Sequence, residues 1–292
     1  MKRLNQIVVA SIFALVFFSC EEVGPFIDFT HDQPIKTGID VSDVVLVDTT
    51  FVDANLQTAD DKNVLIEEFT GVRCPNCPDG SILAENLAAQ SNGRLQIISI
   101  HSGFFATPYP GEPDLEIQQG TNIESLLGGA VNYPSASINR FDAGIGFISS
   151  STTWEADINN EYNKTSPVNI IISNNFDEET REGVVKISTH FIGQFSDNYK
   201  LSIMLLESNI IQTQDVNGDV TPDYNHKHVL RDMLTPFDGE LWTNAPQAGF
   251  TRIKDFKYGP LPADFEISSL EIVAFVTNAD NLYVEQVEHL KF

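Results

Sequence analysis

Cysteine and positive charge are both scarce in this chain. Its 292 residues contain three cysteines, Cys20, Cys74 and Cys77. That is too few for a fold stapled by disulfides, so each cysteine needs its own explanation. Lys and Arg total 17 against 41 Asp and Glu, a formal charge of −24. A surface this acidic repels phosphate, which excludes nucleic acid as a partner and excludes electrostatic docking on anionic lipid. Long apolar runs are nearly absent as well. Apart from residues 7–18, nothing approaches the roughly 20 residues that cross a bilayer as a helix. No internal repeat is visible. Gly128-Gly129 is too short for a phosphate loop, and no Ser-His-Asp order stands out. What remains has a hydrophobic fraction of 42%, ordinary for a globular protein, and length enough for one large domain or two ordinary ones.

The N-terminus reads as an address. Lys2 and Arg3 precede the uncharged, mostly apolar run 7–18, which suits the core of a signal peptide and is short for a membrane span. Phe17-Phe18-Ser19-Cys20 resembles a relaxed bacterial lipobox. That resemblance implies a signal peptide over 1–19 and acylation of Cys20 as the mature N-terminus. A plain secretory signal with an incidental cysteine is the alternative. Two or more acyl chains, at about 0.8 kcal/mol per buried methylene, hold a protein stably on a membrane. Loss of Lys2 and Arg3 takes the charge from −24 to −26. Glu21 and Glu22 resemble the surface-export tags of Bacteroidetes lipoproteins. The expected location is therefore the outer membrane, facing the periplasm or the cell surface. Residues 20–62 hold Pro25, Pro34 and Gly38, with alternation in 41–52, and read as a tether with some strand.

Organisation sharpens at Asn63. The apolar run 64–69 is a buried-strand signal, broken by Thr70-Gly71. Cys74-Pro75-Asn76-Cys77-Pro78 follows, then a helical pattern carried by Ile82, Leu83 and Leu87 and stopped by Asn92-Gly93. Residues 95–101 form a second apolar strand. The order strand, CxxC turn, helix, strand is a βαβ unit with the cysteines at the N-terminus of its helix. Residues 102–120 are a Gly- and Pro-rich loop, long enough to serve as a lid over the CxxC. A short helix is expected over 122–127, a strand over 135–140, and an amphipathic helix over 154–162 from Trp154, Ile158 and Tyr162. After Ser166-Pro167 the texture changes to short alternating runs at 168–173, 184–191, 199–207, 250–256 and 270–277. These imply an all-β domain over 166–292, an antiparallel β-sandwich or jelly-roll, following an α/β domain over 63–165.

The cysteine pair carries the chemistry. Zinc wants four ligands, and His101, His226 and His228 would have to come from distant segments to complete a site. A redox pair needs nothing more than is present. Backbone N–H groups at a helix start stabilise a thiolate on Cys74, and Arg73 adds positive charge. Cys77, one turn on, resolves the mixed disulfide. Pro75 and Pro78 suit a first helical turn, and Pro75 and Asn76 would face the client. The alternative is an inert Cys74–Cys77 disulfide that clips the turn, which an oxidising compartment favours. Exchange requires sulfurs within reach of an incoming protein.

Residues 64–77, VLIEEFTGVRCPNC, resemble the entry to the CxxC of thioredoxins. In that family a buried acidic residue lies six positions before the first cysteine, here Glu68. The resemblance implies that Glu68 shuttles a proton for Cys77, with burial raising its pKa. Glu67 then points to the opposite face of the strand. Tyr133-Pro134 resembles the cis-proline site beside the CxxC, where Tyr133 would offer backbone groups to a substrate strand. Arg73 stands where thioredoxins have tryptophan, and Pro-Asn separates the cysteines in place of Gly-Pro, so no redox potential carries over.

The chain also resembles the 28-kDa outer-membrane-protein family of Bacteroidetes lipoproteins. The shared features are EEFTG with CxxCP, Tyr133-Pro134-Ser135 through Asn139-Arg140, and Tyr224-Asn225-His226-Lys227-His228-Val229-Leu230-Arg231. That resemblance implies a thioredoxin-like domain followed by a β-rich domain. Elsewhere, Asp215, Asn217, Asp219 and Asp223 alternate like a calcium loop. They lack the EF-hand glycine, and His226 stands where the final glutamate belongs, so a polar hairpin turn is the plainer reading of the same residues. No other cofactor is expected. The leading expectation is thiol–disulfide exchange on exported proteins. The alternative is a cell-envelope binding or adhesin-like lipoprotein whose CxxC is structural.

Overall fold

The computed structural model describes residues 36–37, 45–142, 144 and 146–292. The expected signal peptide, Cys20 and much of the tether fall on residues 1–35 and 38–44 and lie outside the described residues.

Strands β1 (Lys36–Thr37) and β2 (Asp48–Val52) come first. The apolar run at 64 becomes β3 (Val64–Thr70), buried along its whole length. Helix α1 (Cys77–Ala89) begins at the second cysteine, with Pro78 in its first turn, where a missing N–H costs no helical bond. Asn92 and Gly93 follow it with φ of 53° and 82°, left-handed positions that turn the chain back. The chain returns as β4 (Leu95–His101), again wholly buried. Next come α2 (Gln118–Leu126), β5 (Ser135–Ile138), β6 (Ile148–Ser150) and α3 (Trp154–Glu161). Helix α2 starts four residues earlier than its apolar spacing indicated.

The rest is strand. Long strands β7 (Val168–Asp177), β8 (Glu182–Phe191) and β9 (Asn198–Glu207) are followed by β10 (Ile210–Val216) and β11 (Asp219–His226). Then come β12 (Val229–Met233), β13 (Glu240–Asn244), β14 (Phe250–Tyr258), β15 (Leu270–Asn278) and β16 (Val284–Lys291).

These strands make two large sheets and one small one. The largest runs β16-β15-β9-β12-β4-β3-β5-β6, with β13 also pairing β9. Its β3–β4 and β4–β12 pairs are parallel and its other pairs antiparallel. A five-stranded sheet runs β1-β7-β8-β14-β2, and β10–β11 stands as a two-stranded hairpin of its own.

Strand alternation fixes what covers each face. On one face, Val64, Ile66, Leu95 and Ile97 meet Ala84 of α1 and Trp154 and Ile158 of α3. Further along that face, Leu201, Ile203, Ile272 and Ala274 meet Ile170, Val185, Ile187 and Phe256 of the five-stranded sheet, a sheet-on-sheet core. On the other face, Leu65, Phe69, Ile98, Met204, Leu230 and Phe275 pack with Ile123 and Leu127. Strands covered on both faces read as continuous apolar runs, which is why β3 and β4 are legible in the sequence.

The expected division at 165/166 is corrected in one respect. It marks a change in strand content, but the large sheet continues across it. Strand β12 pairs in parallel with β4 through Val229 and Ser99, and the Ser99 N–H donates to the His228 carbonyl at 2.8 Å. The reason is an open edge: β4 has β3 on one side only, and the later strand supplies the missing neighbour.

Candidate functional site at the CxxC turn

The turn between β3 and α1 brings Cys74 and Cys77 together as a disulfide, with Cα atoms 5.4 Å apart. The Cys74 N–H donates to the Gly71 carbonyl at 3.0 Å, and the Cys77 N–H donates to the Cys74 carbonyl at 3.3 Å. Both cysteines are 1% exposed. Asn76 is exposed and Pro75 half-buried. Arg73 does not reach toward the sulfurs through its polar contacts. Its guanidinium donates to the carbonyls of Thr107 and Pro108, at 2.7 and 2.8 Å, and lies over the Tyr109 ring. The loop after β4 therefore closes one side of the turn. A Cβ on Gly71 would fall 2.4 Å from the Phe105 carbonyl carbon, so only glycine admits that loop so closely.

Tyr133 and Pro134 come from the segment before β5, joined by a cis peptide bond. Pro134 rests on the first turn of α1: a Cβ on Gly80 would lie 2.7 Å from the Pro134 Cβ and 3.1 Å from Glu68 Oε1. The Tyr133 hydroxyl donates to Glu124 at 2.7 Å. Sequence reasoning missed Gly80, the residue whose lack of a side chain lets α1, Pro134 and Glu68 meet.

Glu67 and Glu68 leave β3 on opposite faces, and both are wholly buried. Arg140 meets Glu67 with two parallel bonds, Nε at 2.8 Å and Nη2 at 2.6 Å. Glu68 meets only hydroxyls: Ser81 at 3.0 and 3.2 Å from α1, and Ser99 at 3.5 Å from β4. Burial pushes Glu68 up to about 7, although the two hydroxyls pull the other way. Ser99 could have been found in the sequence, since it stands opposite Glu68 in the β3–β4 register.

Glu68 forms part of the lining of a cavity of about 300 Å³ between the sheet, α1 and the return of the β10–β11 hairpin. His101 and His226 also line it, their rings 5.5 Å apart edge to face. Burial holds both imidazoles neutral, His226 down to about 4 and His101 well below its ordinary value. His228 behaves oppositely. Burial would lower it, but the carboxylates of Glu271 and Glu85 prevail and bring it up to about 9. Its Nε2 lies 2.9 Å from Glu85, and Lys227 Nζ lies 2.9 Å from the other Glu85 oxygen. The motif 224–231 singled out in the sequence thus clamps onto the helix that carries Cys77.

The four calcium candidates lie on the same hairpin. Asp215 accepts from the Gly218 N–H at 2.8 Å and closes the turn, while Asp219 and Asp223 follow on β11. Among the described residues, no group of three or more His, Cys, Asp or Glu side chains is placed to hold a metal ion.

The family model described as outer membrane protein Omp28 matches residues 128–292, more than half of the chain. The chain belongs to the Omp28 family. Membership places it in the cell envelope, at the outer membrane. The matched segment includes Pro134, Arg140 and the β10–β11 hairpin, and begins after the CxxC. Among solved structures, HBP35 of Porphyromonas gingivalis is similar, with a TM-score of 0.63 at 20% identity over 81% of this chain and 77% of its own. A protein of Agrobacterium tumefaciens has a TM-score of 0.45 at 17% identity, over 80% of this chain and 96% of its own. A domain of the outer membrane lipoprotein Omp28 from Porphyromonas gingivalis has a TM-score of 0.30 at 22% identity, over 44% of this chain and 88% of its own. No curated protein matches the chain by sequence. The likeness to HBP35 concerns the fold, which is β-rich with few helices.

Proposed function

We propose that this Omp28-family protein exchanges thiols and disulfides with exported proteins, through a thioredoxin-like unit made of β3, α1, β4 and β5. Cys20 serves as the acylated anchor that keeps the exchanger on the membrane. The observation that carries the reading is Glu68. It is a wholly buried carboxyl that no cation hydrogen-bonds, held by Ser81 and Ser99 under the first turn of the helix that Cys77 opens, and burial outweighs the pull of the His228 charge on it. A clip that only fastens a turn has no use for such a group, which costs free energy whenever it ionises.

The steps balance as follows. A client thiolate attacks Cys74 Sγ, the Cys74–Cys77 bond breaks, and the Cys77 thiolate takes the proton held on Glu68. A second client thiolate attacks the client sulfur of the mixed disulfide and releases the Cys74 thiolate. The client dithiol is oxidised by two electrons and the protein disulfide is reduced. Run backward, a Cys74 thiolate reduces a client disulfide, with Cys77 as resolving thiol and Glu68 as its base. The carboxyl sits near pH 7, so it can serve either direction. Pro134 shapes the floor beside the pair, and Tyr133, Pro75 and Asn76 border the entry.

One observation favours a second reading. Both cysteines are 1% exposed, as an inert clip in an envelope binding protein would be. Reduced Cys77→Ser protein separates the two. Mixed with a disulfide-bonded client such as insulin, it should accumulate a covalent adduct through Cys74, visible on a non-reducing gel. No adduct, together with a potential below about −300 mV against glutathione, would leave only the clip.

A further inference from the structure

The main chain of the CxxC turn, whose cysteines are buried, has a resident partner. The β10–β11 hairpin pairs with neither large sheet, and its tip lies on the CxxC turn. The Asp215 N–H donates to the Val72 carbonyl and the Asn217 N–H to the Pro75 carbonyl, each at 2.8 Å. The Gln214 side-chain amide donates to the carbonyls of Cys74 and Gly71, at 3.0 and 3.3 Å. Four polar contacts therefore bridge two segments about 140 residues apart, and every acceptor is main-chain.

We infer that the hairpin tip is a resident stand-in for the client, and that clients are extended polypeptide segments which displace residues 214–217 from the CxxC turn. This rests on the exchange reading above. An extended strand presents N–H groups two residues apart on one edge, the spacing with which Asp215 and Asn217 satisfy Val72 and Pro75. Main-chain recognition of this kind is indifferent to client sequence and selects for unfolded or partly exported chains, whose backbone is unpaired. Besides the CxxC turn, β10 is held by Gln212 on the Pro113 carbonyl and Thr213 on Glu112, whereas the roots and the outer strand are freer. Both of its roots, Asn209 and His228, sit at left-handed φ of 62° and 52°, and most of β11 is solvent-exposed. Its latch is Glu85 on α1, which holds Lys227 and His228 at the second root. The helix that carries the resolving cysteine thus also carries the catch that keeps the cover shut.

Two measurements on the full chain test this. The first is the rate at which a trialkyl phosphine reduces the Cys74–Cys77 disulfide. Gln214→Ala with Glu85→Gln should raise that rate at least tenfold. An unchanged rate in a variant with native circular dichroism overturns the cover. The second needs no variant. Hydrogen exchange at the Asp215 and Asn217 amides should quicken about tenfold with excess reduced, carboxymethylated α-lactalbumin, an unfolded chain whose thiols are blocked. Undiminished protection overturns the client-mimic role. Neither readout depends on exchange chemistry. Faster phosphine reduction without Cys77→Ser adducts keeps the cover and removes the exchanger, and adducts with unchanged phosphine access do the reverse.

Discussion

Glu67 and Glu68 are neighbours in β3, are equally buried, and are treated in opposite ways. On one face of the sheet Glu67 meets the fork of Arg140, so its charge is matched in place. On the other face Glu68 hydrogen-bonds only the Ser81 and Ser99 hydroxyls, and burial, against those bonds and the more distant charge of His228, lifts it to about 7. The matched pair is architecture: it locks the segment after β5 to β3. The unmatched carboxyl gains and loses its proton near neutrality, which architecture does not need. A sheet buried on both sides makes room for both solutions one residue apart.

Breaking the matched side should have the largest effect. Arg140→Ala leaves Glu67 without its partner in the core and should cost about 3–5 kcal/mol, read by urea unfolding at pH 7. Adding Glu67→Gln should recover part of that loss. If Arg140→Ala costs under about 1 kcal/mol, the two sides do not differ as described.

The unmatched side should respond in the other direction. Folded Glu68 keeps its proton to about pH 7, whereas unfolded glutamate releases it near 4.5. Between those values the folded state binds more protons, so this group's contribution to stability falls as pH rises and the penalty is complete above 7. At about 1.4 kcal/mol per pKa unit, Glu68→Gln should stabilise the protein on the order of 3 kcal/mol at pH 8. It should do little at pH 4, and it should slow exchange. Parallel unfolding curves across that range would remove Glu68 from the argument. The smallest effect sharpens the comparison: Ser81→Ala or Ser99→Ala should raise Glu68 further, by roughly 1 kcal/mol of ionisation free energy each. Carboxyl carbon chemical shifts followed against pH would report it.

Much of this was legible in the sequence because the signals were local. Strands β3 and β4 announce themselves as unbroken apolar runs, α1 by its prolines and its Asn92-Gly93 stop, and α3 by Trp154 and Ile158 on one stripe. Nothing local says that Val229 will lie beside Ser99 about 130 residues earlier, so the joining of the two halves into one sheet was hidden. The hairpin turn at 215–223 was one reading of the sequence, but the length of its strands and its docking on the CxxC turn were hidden for a different reason. Strand β11 is exposed over most of its length and therefore lacks apolar alternation, and its alternating oxygens imitate a calcium loop. Short strands β6, β12 and β13 take their conformation from their neighbours and carry little signal of their own. Gln214 looks like any polar residue until the turn it touches is in place.

The two residues that lead into β3 are buttoned to the last strand of the chain. Lys62 donates to the carbonyls of Val284 and Glu285, and Asn63 to that of Val287, across 222 to 224 residues. A polypeptide that emerges N-terminus first therefore cannot close this core until its last strand has arrived, so the sheet is sealed by the final tenth of the chain.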